Sequence, residues 1–370
     1  MKIIKEYLDF DTFKSKCDDN IYPLVVEKVE KYFSGSAIQE LRKMKNVFIT
    51  SFVLGALLLI ASIWGGITVL KDLSDSNRAG FYGIVAVFAL AVIFAIIGTV
   101  FWIKFTKAKQ RINSSISSEL AKSDHIYEKT FKNISPEIEY VTSNNPDFVS
   151  KLSLNENPGL TRIDLETIKP DCQNPPTLIS ANRLATWLID NKYPVEYYFL
   201  HWQYIVQTKN GERIYNVYRG AIKVYTDFMG EKSFDWTLNT NKFLNNKLSR
   251  LWSHLETIKL ENNQFNSTFK LKSNDRQSIF RIFTPFAQEL LVKRVRDKQG
   301  ILFDSFKLFS SNAQKSVLYD ITGSDNFMKI NAKISLNKDQ VIKSYYSDIV
   351  QDTYTFYYML CFVYIPLYFE

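Results

Sequence analysis

The chain has 370 residues, 46 Lys and Arg against 38 Asp and Glu, and a formal charge of +8, with 46% hydrophobic and 23% charged residues. That length leaves room for a membrane module beside one or two soluble units, and the average composition is that of a globular protein, so any membrane character has to be local. Lysines outnumber arginines 34 to 12 and no basic run interleaves with aromatics on a reading helix, so nucleic acid is not an expected partner and the charge fits an anionic membrane surface or a solvated exterior.

Residues 1–46 read as an N-terminal amphipathic helical segment, with Val25, Val26, Val29 and Phe33 recurring at helical spacing from Ile21 onward. Val47 to Leu70 is then free of charge for 24 residues and Phe81 to Ile103 for 23. At 1.5 Å per residue each run gives roughly 35 Å of helix, enough to cross a hydrocarbon core near 30 Å. The spacing therefore predicts a transmembrane hairpin over 47–103, with spans 47–70 and 81–103. Ser51/Gly55, Ala61/Gly65, Ser62/Gly66 and Ala91/Ala95 place small residues four apart, where two helix backbones can approach closely. Neither span holds an ionisable residue, which argues against a pump or transporter core.

Residues 104–176 read as a juxtamembrane helix to about Ser135 followed by a linker limited by Pro136, Pro146, Pro158, Pro170, Pro175 and Pro176. Lys104, Lys107, Lys109 and Arg111 stand where acidic headgroups lie and are the candidate anionic-lipid contacts. From 177 to 370 the pattern is that of a soluble domain. Tyr198, Leu200, Trp202, Tyr204 and Val206 alternate before Asn210-Gly211, and Ile214, Tyr218, Ile222 and Val224 follow, which predicts a long β-hairpin with a tight turn. Leu248, Leu251, Trp252, Leu255 and Ile258 have helical spacing, while Thr268 to Lys272 and Ser278 to Thr284 read as strands.

Thr284-Pro285 opens a helix to about Lys298, whose Lys293, Arg294, Arg296 and Lys298 suit the negative end of its dipole. Ile301 to Phe309 and Phe327 to Ile334 read as further strands. Asn337 with Gln340 starts a last helix, whose uncharged stretch Thr353 to Phe369 is too short to span and is interrupted by Pro366 and five tyrosines, so it docks on the soluble domain or lies at the membrane interface. Strands and helices in blocks give an α+β fold: a two-helix transmembrane hairpin followed by a soluble domain with a mainly antiparallel sheet and packed helices.

Val217 to Phe228, reading V-Y-R-G-A-I-K-V-Y-T-D-F, and Leu260 to Phe265, followed by Phe269, Asn274-Asp275 and Ile282 to Pro285, carry a resemblance. They resemble the signature segments of bacterial domain-of-unknown-function family 3137. That resemblance implies a two-pass membrane protein with this domain after its spans, and it implies no activity.

The three cysteines, Cys17, Cys172 and Cys361, are odd in number and far apart, which offers no disulfide framework or CxxC site and fits a reducing compartment. His125, His201 and His254 have no partner at a telling spacing, and glycine-rich phosphate loops, nucleophile elbows and zinc spacings are not found, so no cofactor is expected. Arg219, beside Gly220 in a strand, is the candidate ligand or partner contact, although an arginine there can equally pair with a neighbouring carboxylate. The expectation is a membrane-anchored cytoplasmic binding or scaffolding module and not an enzyme; the alternative is a membrane-bound enzyme whose site only the fold assembles. Its expected partners are the bilayer, a protein or a second copy. Arg42, Lys43 and Lys45 before the first span and the four basic residues after the second, against Lys71 and Arg78 between, put both termini on the cytoplasmic side of the cell membrane.

Overall fold

The computed structural model describes residues 7–71, 78–123, 125–142, 159–190, 193–209, 211–226, 234–240, 250–303, 305–322, 327–330, 332 and 335–368. The chain forms two units, one from Met1–Tyr22, His125–Ile330 and Ser347–Glu370, the other from Pro23–Asp124 and Asn331–Tyr346. The first helix, α1 (Phe10–Asn20), starts where Asp9 accepts a hydrogen bond from the Thr12 amide, and buries Phe13 and Cys17.

The second unit holds α2 (Tyr22–Phe33), α3 (Ser36–Lys71) and α4 (Arg78–Ser118), the last running into a π-helical turn at Glu119–Ser123. Lys31 and Tyr32 both donate to the Glu119 carboxylate, at 3.1 and 2.6 Å, tying α2 to that turn. Helices α3 and α4 are both long and apolar enough to cross a membrane, and only 17% and 11% of their most apolar windows are buried. Phe48 meets Phe105, Gly98 lies under Phe52, Gly55 faces Ala91 and Ala95, and Gly65 faces Ile84, so the two run antiparallel. Gly55, Gly65 and Gly98 sit in that contact, since a side chain at Gly55 would press on the Ala91 carbonyl and one at Gly98 on the Phe52 ring, whereas Gly66 has nothing within 4 Å and Ala61 is exposed. The outward side chains are apolar: Leu57, Ile60, Trp64, Phe88 and Ile96 are all more than half exposed.

The first unit is built on a sheet of nine strands among the described residues. In chain order come α5 (Ile126–Lys132), β1 (Ile138–Thr142), α6 (Arg162–Thr167), β2 (Thr177–Ile189), β3 (Tyr193–Thr208), β4 (Gly211–Tyr225), β5 (Trp236–Thr240), β6 (Glu256–Ile258), α7 (Asn263–Thr268), β7 (Phe269–Ser273), α8 (Arg276–Ile282), α9 (Pro285–Arg296), β8 (Phe306–Ser311) and β9 (Ser316–Thr322). The helix α10 (Lys338–Tyr368) follows, and belongs to this unit from Ser347 onward. The strand order is β1-β2-β3-β4-β9-β8-β5-β7-β6, and all pairings are antiparallel.

One apolar row crosses the sheet through directly paired residues, Tyr197, Ile222, Tyr319, Leu308, Leu238, Leu271 and Ile258. Against this face packs the aromatic half of α10: Phe356 stacks on Trp187 at 3.9 Å and Phe362 lies 4.5 Å from Phe306. Residues Asp352 to Leu367 are all buried, so the uncharged tail is core of the sheet domain, and the helix runs on through Pro366 to Tyr368.

Several expectations need correction. Ser278 to Thr284 is not a strand; Asp275 caps Ser278 at 2.9 Å, and Ile279 and Ile282 turn one face of the short helix α8 inward. Within the run Leu248 to Ile258, Arg250–Trp252 form a 3-10 turn and Glu256–Ile258 a strand, while 248 and 249 lie outside the described residues. Ile301 to Phe309 is strand only from Phe306, and Phe327 to Ile330 is not strand; 331, 333 and 334 lie outside the described residues. The proline-limited lead-in contains β1 and α6, with 143–158 outside the described residues. The hairpin stands, closed by the pair Thr208 and Gly211, so that residues 209 and 210 intervene and the glycine opens β4; Asn210 itself lies outside the described residues.

Candidate functional site

Residues directly opposite across a pairing share a face, so the rows next to the apolar one belong to the opposite side of the sheet. Those rows are charged. One runs Arg183, Tyr198, Ala221, Asp320, Lys307, Asn239, Lys270, and the other Glu196, Lys223, Leu318, Phe309, Thr237, Lys272. Where they pass β3, β4, β8 and β9, an apolar cluster of Ile168, Leu200, Trp202, Trp252, Leu255, Phe309 and Leu318 covers part of this face.

The charges at the β2–β4 side are tied down in detail. The fully buried Glu196 accepts from Arg183 at 2.7 Å, from the Tyr198 hydroxyl at 2.8 Å and from the Tyr225 hydroxyl at 2.6 Å. Lys223 donates to Asp164 at 2.7 Å and to the Gly159 carbonyl at 2.9 Å. Asp164 also completes a capping box with Thr161, so this ion pair fixes α6 and its approach segment on the sheet. With three hydrogen bonds on Glu196 and two on Lys223, this is a clamp of the kind buried charge requires.

Arg219, the candidate contact, points to the same face and lies 3.4 Å from Asp320, with 12% and 6% of the two side chains exposed. Pairing with a neighbouring carboxylate is thus what it does. Burial pushes the Asp320 carboxyl up, opposed by Arg219 and Lys307, and burial pulls the Lys307 ammonium down. Gly220 gives close approach without a bulge: a side chain there would meet the Tyr197 ring at 3.2 Å.

On the β5–β7 side the balance changes. Asn239 on β5 stands between Lys307 and Lys270, directly opposite both, and Thr237 stands opposite Lys272. Thr237 is fully buried and Asn239 7% exposed, yet the Thr237 hydroxyl and the Asn239 Oδ1 have no hydrogen-bond partner among the described residues. Lys270 and Lys272 are half-buried and reach solvent. Burial and then Lys270 pull the Lys272 ammonium below its ordinary value.

Two further charged places lie in this unit. Arg294, 2% exposed, is boxed by the rings of Tyr7, Tyr354, Tyr357 and Tyr358 at 4.7 to 5.3 Å and donates to the Tyr354 hydroxyl at 3.2 Å. Its place in the basic tract Lys293 to Lys298 hid that it alone turns inward, while Lys293 and Arg296 stay exposed and line an open groove of about 580 Å³ with Asn262, Gln264 and Glu289. In the second unit, Lys104, Lys107, Lys109 and Arg111 follow the apolar stretch of α4; Lys109 is half-buried and the other three are exposed. The Phe48–Phe105 contact puts them at the same end of the helix pair as Arg42, Lys43 and Lys45.

The histidines are engaged or exposed: His201 bonds Asn216 at 2.8 Å and stacks on Tyr218, and His125 lies 3.9 Å from Glu128. Among the described residues no three His, Cys, Asp or Glu converge as metal ligands. Sequence reading singled out Arg219 and missed Glu196, Lys223, Asp320, Lys270, Lys272 and Asn239. The signal was there, because each is a polar residue inside a strand whose neighbours at i±1 are mostly apolar and face the helix side. No family model, curated protein or solved structure matches the chain.

Proposed function

We propose that this chain is a membrane-tethered binding or scaffolding module, held in the bilayer by α3 and α4 and presenting its sheet domain in the cytoplasm. The observation that carries the reading is the outward apolar surface of these two helices. Residues such as Leu57, Ile60, Trp64 and Ile96 expose more than half their area over lengths that match a hydrocarbon core, a surface that water penalises and lipid does not. Contiguous exposed apolar surface of this extent is rare on soluble monomers. The resemblance to family 3137 supports the same two-pass arrangement. The exposed Lys104, Lys107 and Arg111 and the half-buried Lys109 suit anionic headgroups at the end of the spans.

The binding half of the reading rests on the charged sheet face. Glu196 and Lys223 are consumed by internal bonds, which suits a rigid platform better than a proton-transferring centre, whereas the β5–β7 side keeps cations and polar atoms available. Alkaline carbonate washing of membranes tests the tether: the full chain stays in the pellet, and a variant lacking 47–103 moves to the supernatant. Release of the full chain by carbonate would overturn the tether, and pull-down from detergent with no retained partner or ligand would overturn the module.

A further inference from the structure

We propose that the β5–β7 side of the polar sheet face, floored by Thr237 and Asn239 and rimmed by Lys270 and Lys272, binds a phosphate ester that carries free hydroxyl groups. The proposal rests on the binding-module reading and names its ligand class. Lys270 and Lys272 are two residues apart on β7 and therefore point to one face, about 7 Å apart. Neither has an ion-pair partner among the described residues. Lys307 stands across Asn239 from Lys270, so cationic side chains flank the amide on both sides. Burial and then the neighbouring Lys270 charge pull Lys272 down, and an anion placed between the two ammonium groups offsets both.

The floor sets the rest of the ligand. Buried polar groups in native proteins are almost always bonded, and β5 carries four residues with one that is not, Trp236 and Thr240 on the helix side and Thr237 and Asn239 on the polar face, where the latter pair marks a place for a partner. The Asn239 Oδ1 accepts only and needs a donor; the Thr237 hydroxyl can give or take. Lysines need acceptors. A phosphoryl group with three acceptor oxygens satisfies the rim, and a hydroxyl on the same molecule satisfies the floor, whereas a simple carboxylate meets only the first demand. Sugar or polyol phosphates in solution and the headgroup of a phosphoinositide lipid share this chemistry.

The test uses the full chain in nanodiscs and reads the thermal midpoint of the sheet domain. Inositol 1-phosphate added to phosphatidylcholine discs is expected to raise the midpoint saturably and at least tenfold more potently than inorganic phosphate. Discs containing phosphatidylinositol 4-phosphate that raise it while the soluble compound does not would assign the lipid as the source within the same proposal. The paired variant Lys270→Met with Lys272→Met should keep or raise the ligand-free midpoint, because it removes crowded charge, and should lose the ligand-induced rise. No rise with either compound, a rise that survives the double substitution, or a lowered ligand-free midpoint in the variant would overturn the site. Carbonate extraction reports the tether independently, so failure here leaves that reading standing or fallen on its own.

Discussion

Lys223 and Asp164 lie 2.7 Å apart with 3% and 5% of their side chains exposed, and neither charge has water to fall back on. Removing one partner strands the other, at a cost of about 3–5 kcal/mol for a buried pair. Lys223→Met should lower the free energy of chemical unfolding by that amount, and adding Asp164→Leu should recover part of the loss; a single substitution without effect would mean that the pair is not closed in solution. Asp352 makes a different prediction. Its Oδ2 accepts from the Tyr127 hydroxyl at 2.6 Å and the Met328 amide at 2.9 Å, yet burial, and then the neighbouring Asp348, hold its carboxyl well above the ordinary value of 3.8. A carboxyl raised on folding binds its proton more tightly in the native state. Its contribution to stability is full below the unfolded value and is lost as pH rises through the folded one. Asp352→Asn, which cannot ionise and still offers an acceptor, should therefore flatten the decline of stability above pH 4. Equal slopes for variant and parent between pH 4.5 and 7.5 would rule this out.

Gly211 begins β4 with φ +106°, and nothing lies within 4 Å of where a side chain would start, so its role is conformational and not steric. Gly211→Val should cost about 1 kcal/mol or somewhat more in backbone strain, read as a lower thermal midpoint with unchanged secondary structure. The hairpin it closes was legible because period-2 alternation and a turn residue coincide over thirty residues, and the α9 start was legible because Thr284 and Pro285 are a cap with one meaning. Short segments were not. The seven residues from Ser278 suit a strand or two helical turns equally, and only the Asp275 cap decides. The apolar run of α10 left docking on the domain and lying at the membrane interface both open, because its partners, Trp187 on β2 and Phe306 on β8, lie far away in sequence. For the candidate site the same distance was decisive. Lys270, Asn239 and Lys307 become neighbours only through the order β8-β5-β7, which no local spacing encodes.

At the scale of the whole molecule the proposed membrane reading makes a prediction about which side of the bilayer the sheet domain faces, argued from charge at the helix ends. Helices α3 and α4 have 36 and 41 residues, roughly 54 and 62 Å at 1.5 Å per residue, so both outrun a hydrocarbon core and carry their polar ends beyond it. Because they run antiparallel with Phe48 beside Phe105, Arg42, Lys43 and Lys45 share one end with Lys104, Lys107, Lys109 and Arg111. That end holds seven basic residues, and the connection at the other end holds Lys71 and Arg78. Positive residues next to span ends are retained in the cytoplasm, so under the proposed two-span reading the seven-charge end is expected to face inward and the chain to return to the same side. We expect a fluorescent protein fused after residue 370 to mature and an alkaline phosphatase in the same place to stay inactive. Replacing Lys104, Lys107, Lys109 and Arg111 with glutamine should weaken this preference and give a mixed population. Full phosphatase activity with a dark fluorescent fusion would reverse the orientation, and with it the compartment from which the lysine-rimmed sheet face draws its ligand.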